Sequence, residues 1–186
     1  MKKILLSTLL AATIFSCKKE AEKTDDHTAV NDSIVKPLPD PIPSKASLKS
    51  LSPQQTTDFL QTKNDTLYIT NFFATWCGPC VREIPHFKEK IAELKGQPVK
   101  ITFISLDTKK VWDSEVPTFV DKQDIRNNTI LLDGDQLDET FYKNNFKQWK
   151  GDAIPFTYMR KGDKTDEYLG MMTSDLLNSK IDSFTK

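Results

Sequence analysis

Cysteine is scarce in this sequence: three residues in a chain of 186, at positions 17, 77 and 80. A disulfide scaffold uses more of them at closer spacing, and Cys17 belongs to an N-terminal segment, so no structural disulfide is available to the folded part. Histidine is scarcer still. A zinc site would need two ligands besides Cys77 and Cys80, and only His27 and His86 exist, so no metal is expected. Val81, not histidine, follows Cys80, which removes the c-type haem pattern. No cofactor is expected. Charge bias is absent as well: Lys plus Arg and Asp plus Glu number 26 each. A nucleic-acid binder would show a basic excess, so nucleic acid is not an expected partner. No apolar run is long enough to span a bilayer stably; Ile4 to Phe15 is too short and is broken by Ser7, Thr8 and Thr13. No internal repeat is visible, and the length suits one domain with a sizeable core but not two.

What is present begins with Met1 to Ser16, two lysines followed by that apolar run, the layout of a secretory signal. The ending Ile14-Phe15-Ser16-Cys17 resembles a bacterial lipobox. The resemblance implies removal of residues 1–16, lipidation of Cys17, and a membrane-anchored lipoprotein of the bacterial envelope, facing the periplasm or the cell surface. Cleavage removes Lys2 and Lys3, leaving 24 − 26 = −2. Residues 17–44 carry few large apolar side chains, so they are expected to be a disordered tether. Pro37, Pro39, Pro41 and Pro43 favour an extended spacer at about 3.1 Å per residue, a reach of roughly 80 Å from the lipid. Residues 45–186 form the expected domain.

The domain is organised around Thr66 to Phe87, TLYITNFFATWCGPCVREIPHF. Leu67 to Phe73 is apolar, β-branched and aromatic, a buried strand. From Gly78 the spacing of Val81, Ile84 and Phe87 is helical, with Pro85 a kink. Cys77 therefore sits at a helix N-terminus, where unpaired N–H groups and the helix dipole stabilise a thiolate, making it the candidate nucleophile. Cys80, one turn on, is close enough to form a Cys77–Cys80 disulfide and is the candidate resolving thiol. Glu83, one turn further, is positioned as proton acceptor for Cys80, directly or through a water. Burial there would raise its pKa. The alternative is a solvent-facing glutamate in the charged run VREIPHFKEK.

Around this stretch, Ser52-Pro53 opens a helix with Phe59 and Leu60 inward. Gly96-Gln97-Pro98 ends the cysteine helix, and Val99 to Asp107 is the next strand, parallel to the first through a helical crossover. Val111 to Gln123 is a helix that Pro117 weakens, Asn128 to Asp133 a short strand, and Leu137 to Phe146 a helix. Strands Phe156 to Met159 and Glu167 to Met171 turn at Lys161-Gly162-Asp163. Ser174 caps a last helix through Lys180, with Leu176, Leu177 and Ile181 inward. Trp112 and Trp149 have no motif around them and read as packing residues.

The sequence FFATWCGPC resembles the thioredoxin superfamily, and Asn71 and Glu83 resemble its TlpA and ResA branch of extracytoplasmic thiol:disulfide oxidoreductases. The fold implied is α/β, a central mixed sheet flanked by helices, with the helix, strand and helix between residues 111 and 146 as the branch's insertion. Ile154-Pro155 matches the family's cis-proline facing the cysteine pair, although Phe156 stands before Thr157 where the branch usually has threonine directly. The resemblance implies a substrate groove built from Trp76, Gly78, Pro79, Ile154 and Pro155, with Trp76 as plain core the alternative. Peroxiredoxins share this fold, but their Thr-x-x-Cys motif would need threonine at Ala74.

The implied activity is reduction of protein disulfides, in cytochrome c maturation or envelope redox maintenance. Its implied partners are cysteine-containing proteins and a membrane reductant of the CcdA or DsbD type, with the enzyme a monomer. Gly-Pro between the cysteines matches thioredoxin, for which about −270 mV is typical. A disulfide oxidase or isomerase, and a non-catalytic thioredoxin-like binding module, remain as alternatives.

Overall fold

Strands whose apolar side chains point both up and down must be covered on both faces, and the central strands here are of that kind. The computed structural model describes residues 47–185. The expected signal peptide, the Cys17 lipid site and the expected tether of residues 17–44 lie outside them. In chain order the elements are β1 (Lys49–Ser50), α1 (Pro53–Leu60), β2 (Leu67–Phe73), α2 (Gly78–Glu93), β3 (Val99–Ser105), α3 (Glu115–Lys122), β4 (Thr129–Leu131), α4 (Glu139–Asn145), β5 (Phe156–Lys161), β6 (Lys164–Leu169) and α5 (Ser174–Thr185). The strands form one sheet in the order β1-β4-β3-β2-β5-β6. The first four are mutually parallel, β5 runs antiparallel to β2, and β6 antiparallel to β5.

The two-residue period of the strands sorts the core into two layers. Leu67, Ile69 and Phe73 of β2, with Ile101 and Phe103 of β3 and Met159 of β5, pack against Ile84 and Phe87 of α2, Val116 and Val120 of α3, and Leu177, Ile181 and Phe184 of α5. Phe72, Ile104, Phe156 and Tyr158 point the other way, to Leu60 of α1, Phe141 of α4, and Phe146 and Trp149. This second layer is an aromatic cluster. Trp149 stacks on Phe156 with centroids 4.2 Å apart, and Phe72 meets Phe146 edge-on at 5.6 Å. The indole N–H of Trp149 donates to the Ala153 carbonyl at 2.8 Å, which fixes the chain just before the cis Ile154–Pro155 peptide. Trp149 is thus a packing residue that also anchors the chain ahead of β5.

Several elements depart from expectation at their ends. Residues 111–123 are a single 3₁₀ turn at Lys109–Val111 and then α3, with Pro117 third in the helix, where its missing N–H breaks no intrahelical bond. The strand expected at 128–133 is only Thr129–Leu131, because Arg126–Asn128 and Gly134–Gln136 are 3₁₀ turns. Tight pairing extends β5 to Lys161 and starts β6 at Lys164 around Gly162, which has a positive φ of 57°. The α5 helix runs on to Thr185, and its cap is Thr173, whose hydroxyl accepts from the Leu176 N–H. The Ser174 hydroxyl bonds His86 Nδ1 at 2.8 Å instead, tying α5 to α2. Helix α2 continues through Pro85. Phe59 is only half-buried, held under the Arg160 guanidinium.

Arg160 was not anticipated. It is buried, donates to the Phe59 and Thr62 carbonyls at the end of α1, and lies 4.4 Å from the centre of the Tyr68 ring. Burial lowers its pKa to about 10.

Phe72→Ala should empty the centre of the aromatic layer and cost about 3–5 kcal/mol, read as a drop in the denaturation midpoint at unchanged slope.

Candidate active site

The carboxyl ends of β2 and β3 lie side by side, Phe73 opposite Ser105, and a Leu106 N–H to Phe73 carbonyl bond of 2.8 Å extends the ladder. Open parallel sheets present their sites at this end, where strands give way to loops. The chain leaving β2 turns once, the Cys77 N–H donating to the Ala74 carbonyl at 3.1 Å, and Cys77 becomes the N-cap of α2. Gly78 and Pro79 then open the helix, where a proline without N–H costs no bond.

Cys77 and Cys80 are joined in a disulfide, with Cα atoms 5.3 Å apart. The Cys80 N–H points at the Cys77 sulfur from 3.3 Å. One of the free amides of the helix start is therefore aimed at the atom that carries the charge when the pair is reduced. The same sulfur is 3.8 Å from the Ile154 carbonyl oxygen. Cys77 retains 4% exposure and lines a groove, whereas Cys80 is wholly buried. The two thiols thus differ in access and in their electrostatic surroundings.

Glu83 is completely buried on the inner face of α2 with Cys80, Ile84 and Phe87, not on its solvent face. Its two oxygens accept from Asn71 Nδ2 and from the Met172 N–H, each at 2.7 Å. Asn71 Nδ2 also donates to Thr157 Oγ1 at 3.1 Å across the β2–β5 pairing. Burial raises the Glu83 pKa to about 7, although the Met172 and Asn71 donors pull it down. A carboxyl group that changes protonation near neutral pH is suited to take and return a proton. Asn71, Thr157 and the Met172 amide join Glu83 only through contacts between distant parts of the chain. The one available signal was a polar asparagine inside the apolar strand LYITNFF.

The groove beside Cys77 encloses about 510 Å³ and is lined by Trp76, Gly78, Pro79 and Ile154, with Leu106, Tyr142 and Ala153 on its far wall. Trp76 is 75% exposed, so it is not core. Ile154 lines this groove, while Pro155, joined to it by a cis peptide, is buried where the chain enters β5, its carbonyl accepting from the Gly170 N–H at 2.8 Å. Trp112 is half-buried with its indole donating to the Asp107 carbonyl at 2.8 Å.

Residues 41–163 match the AhpC/TSA family. The chain belongs to that family. Among individual relatives, the thiol-disulfide oxidoreductase ResA of Oceanobacillus iheyensis is 30% identical over 123 residues, covering 65% of this chain and 58% of that protein. The thioredoxin-like protein YneN of Bacillus subtilis is 27% identical over 138 residues, covering 73% of this chain and 74% of its own. The match to ResA therefore spans less than two thirds of that relative. In structure, a thioredoxin-related protein from Neisseria meningitidis serogroup B superposes with a TM-score of 0.50 at 25% identity, over 68% of this chain and 90% of that one. The fold is thioredoxin-like, with α3, β4 and α4 inserted between β3 and β5. Within the family, Ala74 stands where a Thr-x-x-Cys peroxidase motif would place threonine, and the partner of Cys77 is one turn away in the same helix.

The raised Glu83 pKa fixes a pH dependence. Between about 4.5 and about 7 the folded protein holds a proton that the unfolded chain releases, so stability is greatest below this window and falls as pH rises through it. The loss is about 3 kcal/mol. Urea midpoints of the oxidised protein should decline from pH 4.5 to 7.5, and Glu83→Gln should flatten that slope.

Proposed function

We propose that the protein is an exported, membrane-tethered thiol:disulfide oxidoreductase that reduces disulfides in cysteine-containing proteins. The observation that carries the reading is the pairing of a helix-capping Cys77 with a buried Cys80 and, one turn on, the buried Glu83. The ResA and YneN relatives support it.

In the reducing direction the Cys77 thiolate attacks one sulfur of a substrate disulfide, and the other sulfur leaves as a thiolate that takes up a proton. The product is a mixed disulfide through Cys77. The Cys80 thiol then gives its proton to Glu83 and attacks the Cys77 sulfur, which expels the second substrate thiolate. Two electrons have passed to the substrate, and the Cys77–Cys80 disulfide remains. A dithiol reductant in the membrane resets it. Trp76, Gly78, Pro79 and Ile154 seat the substrate chain in an extended form beside Cys77. Lipidation at Cys17 is the tether, the envelope of a bacterium the location, and a monomer the working unit.

The reduction potential tests the direction of flow. The full-length chain equilibrated in defined thiol buffers should give a value below about −240 mV; one between about −120 and −180 mV would make it an oxidase or isomerase. In cells, Cys80→Ser should accumulate mixed disulfides that Cys77→Ser does not, and their absence would leave only a binding module.

A further inference from the structure

Asp107 is a buried carboxylate that the reaction above does not use. It lies just past the end of β3 at 2% exposure, and among the described residues no lysine, arginine or histidine pairs with it. Its donors come from the loop that delivers Cys77 and from β3. The Thr75 N–H reaches both oxygens, at 3.0 and 3.2 Å, and the Thr75 hydroxyl donates to Oδ1 at 2.7 Å. The Ser105 hydroxyl donates to Oδ2 at 2.8 Å and accepts from the Asp107 N–H at 3.2 Å. Its main-chain carbonyl meanwhile accepts from Trp112, which joins the loop to the segment ahead of α3.

Two consequences follow for the redox site. Thr75 is held at both its backbone and its side chain, and the next residue, Trp76, stands as a ridge. One side of that ridge is the groove running to Ile154; the other is a second groove of about 570 Å³ floored by Thr118 and Phe119 of α3. The carboxylate also places a negative charge beside the backbone two residues before Cys77. Reduction of the pair consumes two electrons from a dithiol donor, which itself becomes a disulfide, and leaves Cys77 as the sulfur that ionises. A fixed anion nearby disfavours that ionised product relative to the neutral disulfide.

We propose that Asp107 is a positioning residue of the redox site: through Thr75 it holds Trp76 between the two grooves, and its buried charge makes the Cys77–Cys80 pair more reducing. The proposal rests on the thiol:disulfide reading, and its test separates the two.

The full-length parent and three variants, Asp107→Asn, Thr75→Val and Thr75→Ser, are equilibrated with glutathione buffers and assayed for reduction of a disulfide-bonded peptide. Asp107→Asn keeps the shape and removes the charge, and its equilibrium should move about tenfold toward the dithiol, or about 30 mV less negative. Thr75→Val keeps the charge, so its equilibrium should stay within about twofold of the parent. It loses the hydroxyl clamp, so its KM should rise several-fold with kcat retained, and Thr75→Ser should restore the KM. An Asp107→Asn equilibrium equal to the parent's overturns the electrostatic role. Equal KM for the valine and serine variants overturns the clamp, and decides the matter if Asp107→Asn does not fold. A parent that forms no reversible disulfide in these buffers removes the oxidoreductase reading itself.

Discussion

A carboxyl group wholly buried on the face of α2 that also carries Cys80, Ile84 and Phe87 is withdrawn from bulk solvent, and the structure around the cysteines is arranged to answer that constraint. Desolvation favours the neutral acid, while the Asn71 amide and the Met172 N–H favour the anion, and the outcome is a proton affinity near neutrality. Three separate parts of the chain must meet to achieve this. Asn71 comes from the middle of β2, Glu83 from the second turn of α2, and Met172 from the link between β6 and α5. The bond between His86 and Ser174 holds the last of these links in place one turn further along α2. The redox site is therefore a property of the packed β2–α2–α5 assembly and not of the four-residue cysteine motif alone.

How much of this was legible in the sequence follows from where each signal lives. The strand, turn and helix around the cysteines were readable because local spacing determines them: an apolar run, a Gly-Pro at the helix start, and a three-residue repeat of buried side chains. The disulfide itself follows from the same spacing. The alternation that divides Phe72 from Phe73 into different layers was also in the chain, although their aromatic partners were not. Trp149 had no motif around it because its ring partners sit on two different strands, Phe72 on β2 and Phe156 on β5.

The parts that were missed are long-range polar contacts. Asn71 to Thr157 spans β2 and β5, and Asp107 to Thr75 joins two strand ends that only sheet pairing brings together. Arg160 is a similar case, since a charged residue in a buried strand makes sense only once the end of α1 offers it carbonyls. The burial of Pro155 came from the sheet as well, for it lies at the entry of β5 and its carbonyl is taken by the Gly170 N–H. Element ends moved where 3₁₀ turns replaced the outer residues of helices and strands, a choice made by packing and not by propensity.

The margins of the sheet carry a different consequence. On one side it ends in β1, only two residues long, and on the other in β6, which carries Lys164, Asp166 and Glu167. Asp166 is bridged to Lys180, and Glu167 accepts from the Lys147 and Gln148 amides. A stub on one flank and a charged, occupied strand on the other give a neighbouring polypeptide little backbone to zip onto. Among the described residues, the groove beside the Cys77 sulfur, and not a sheet edge, is thus the surface left open to a second chain.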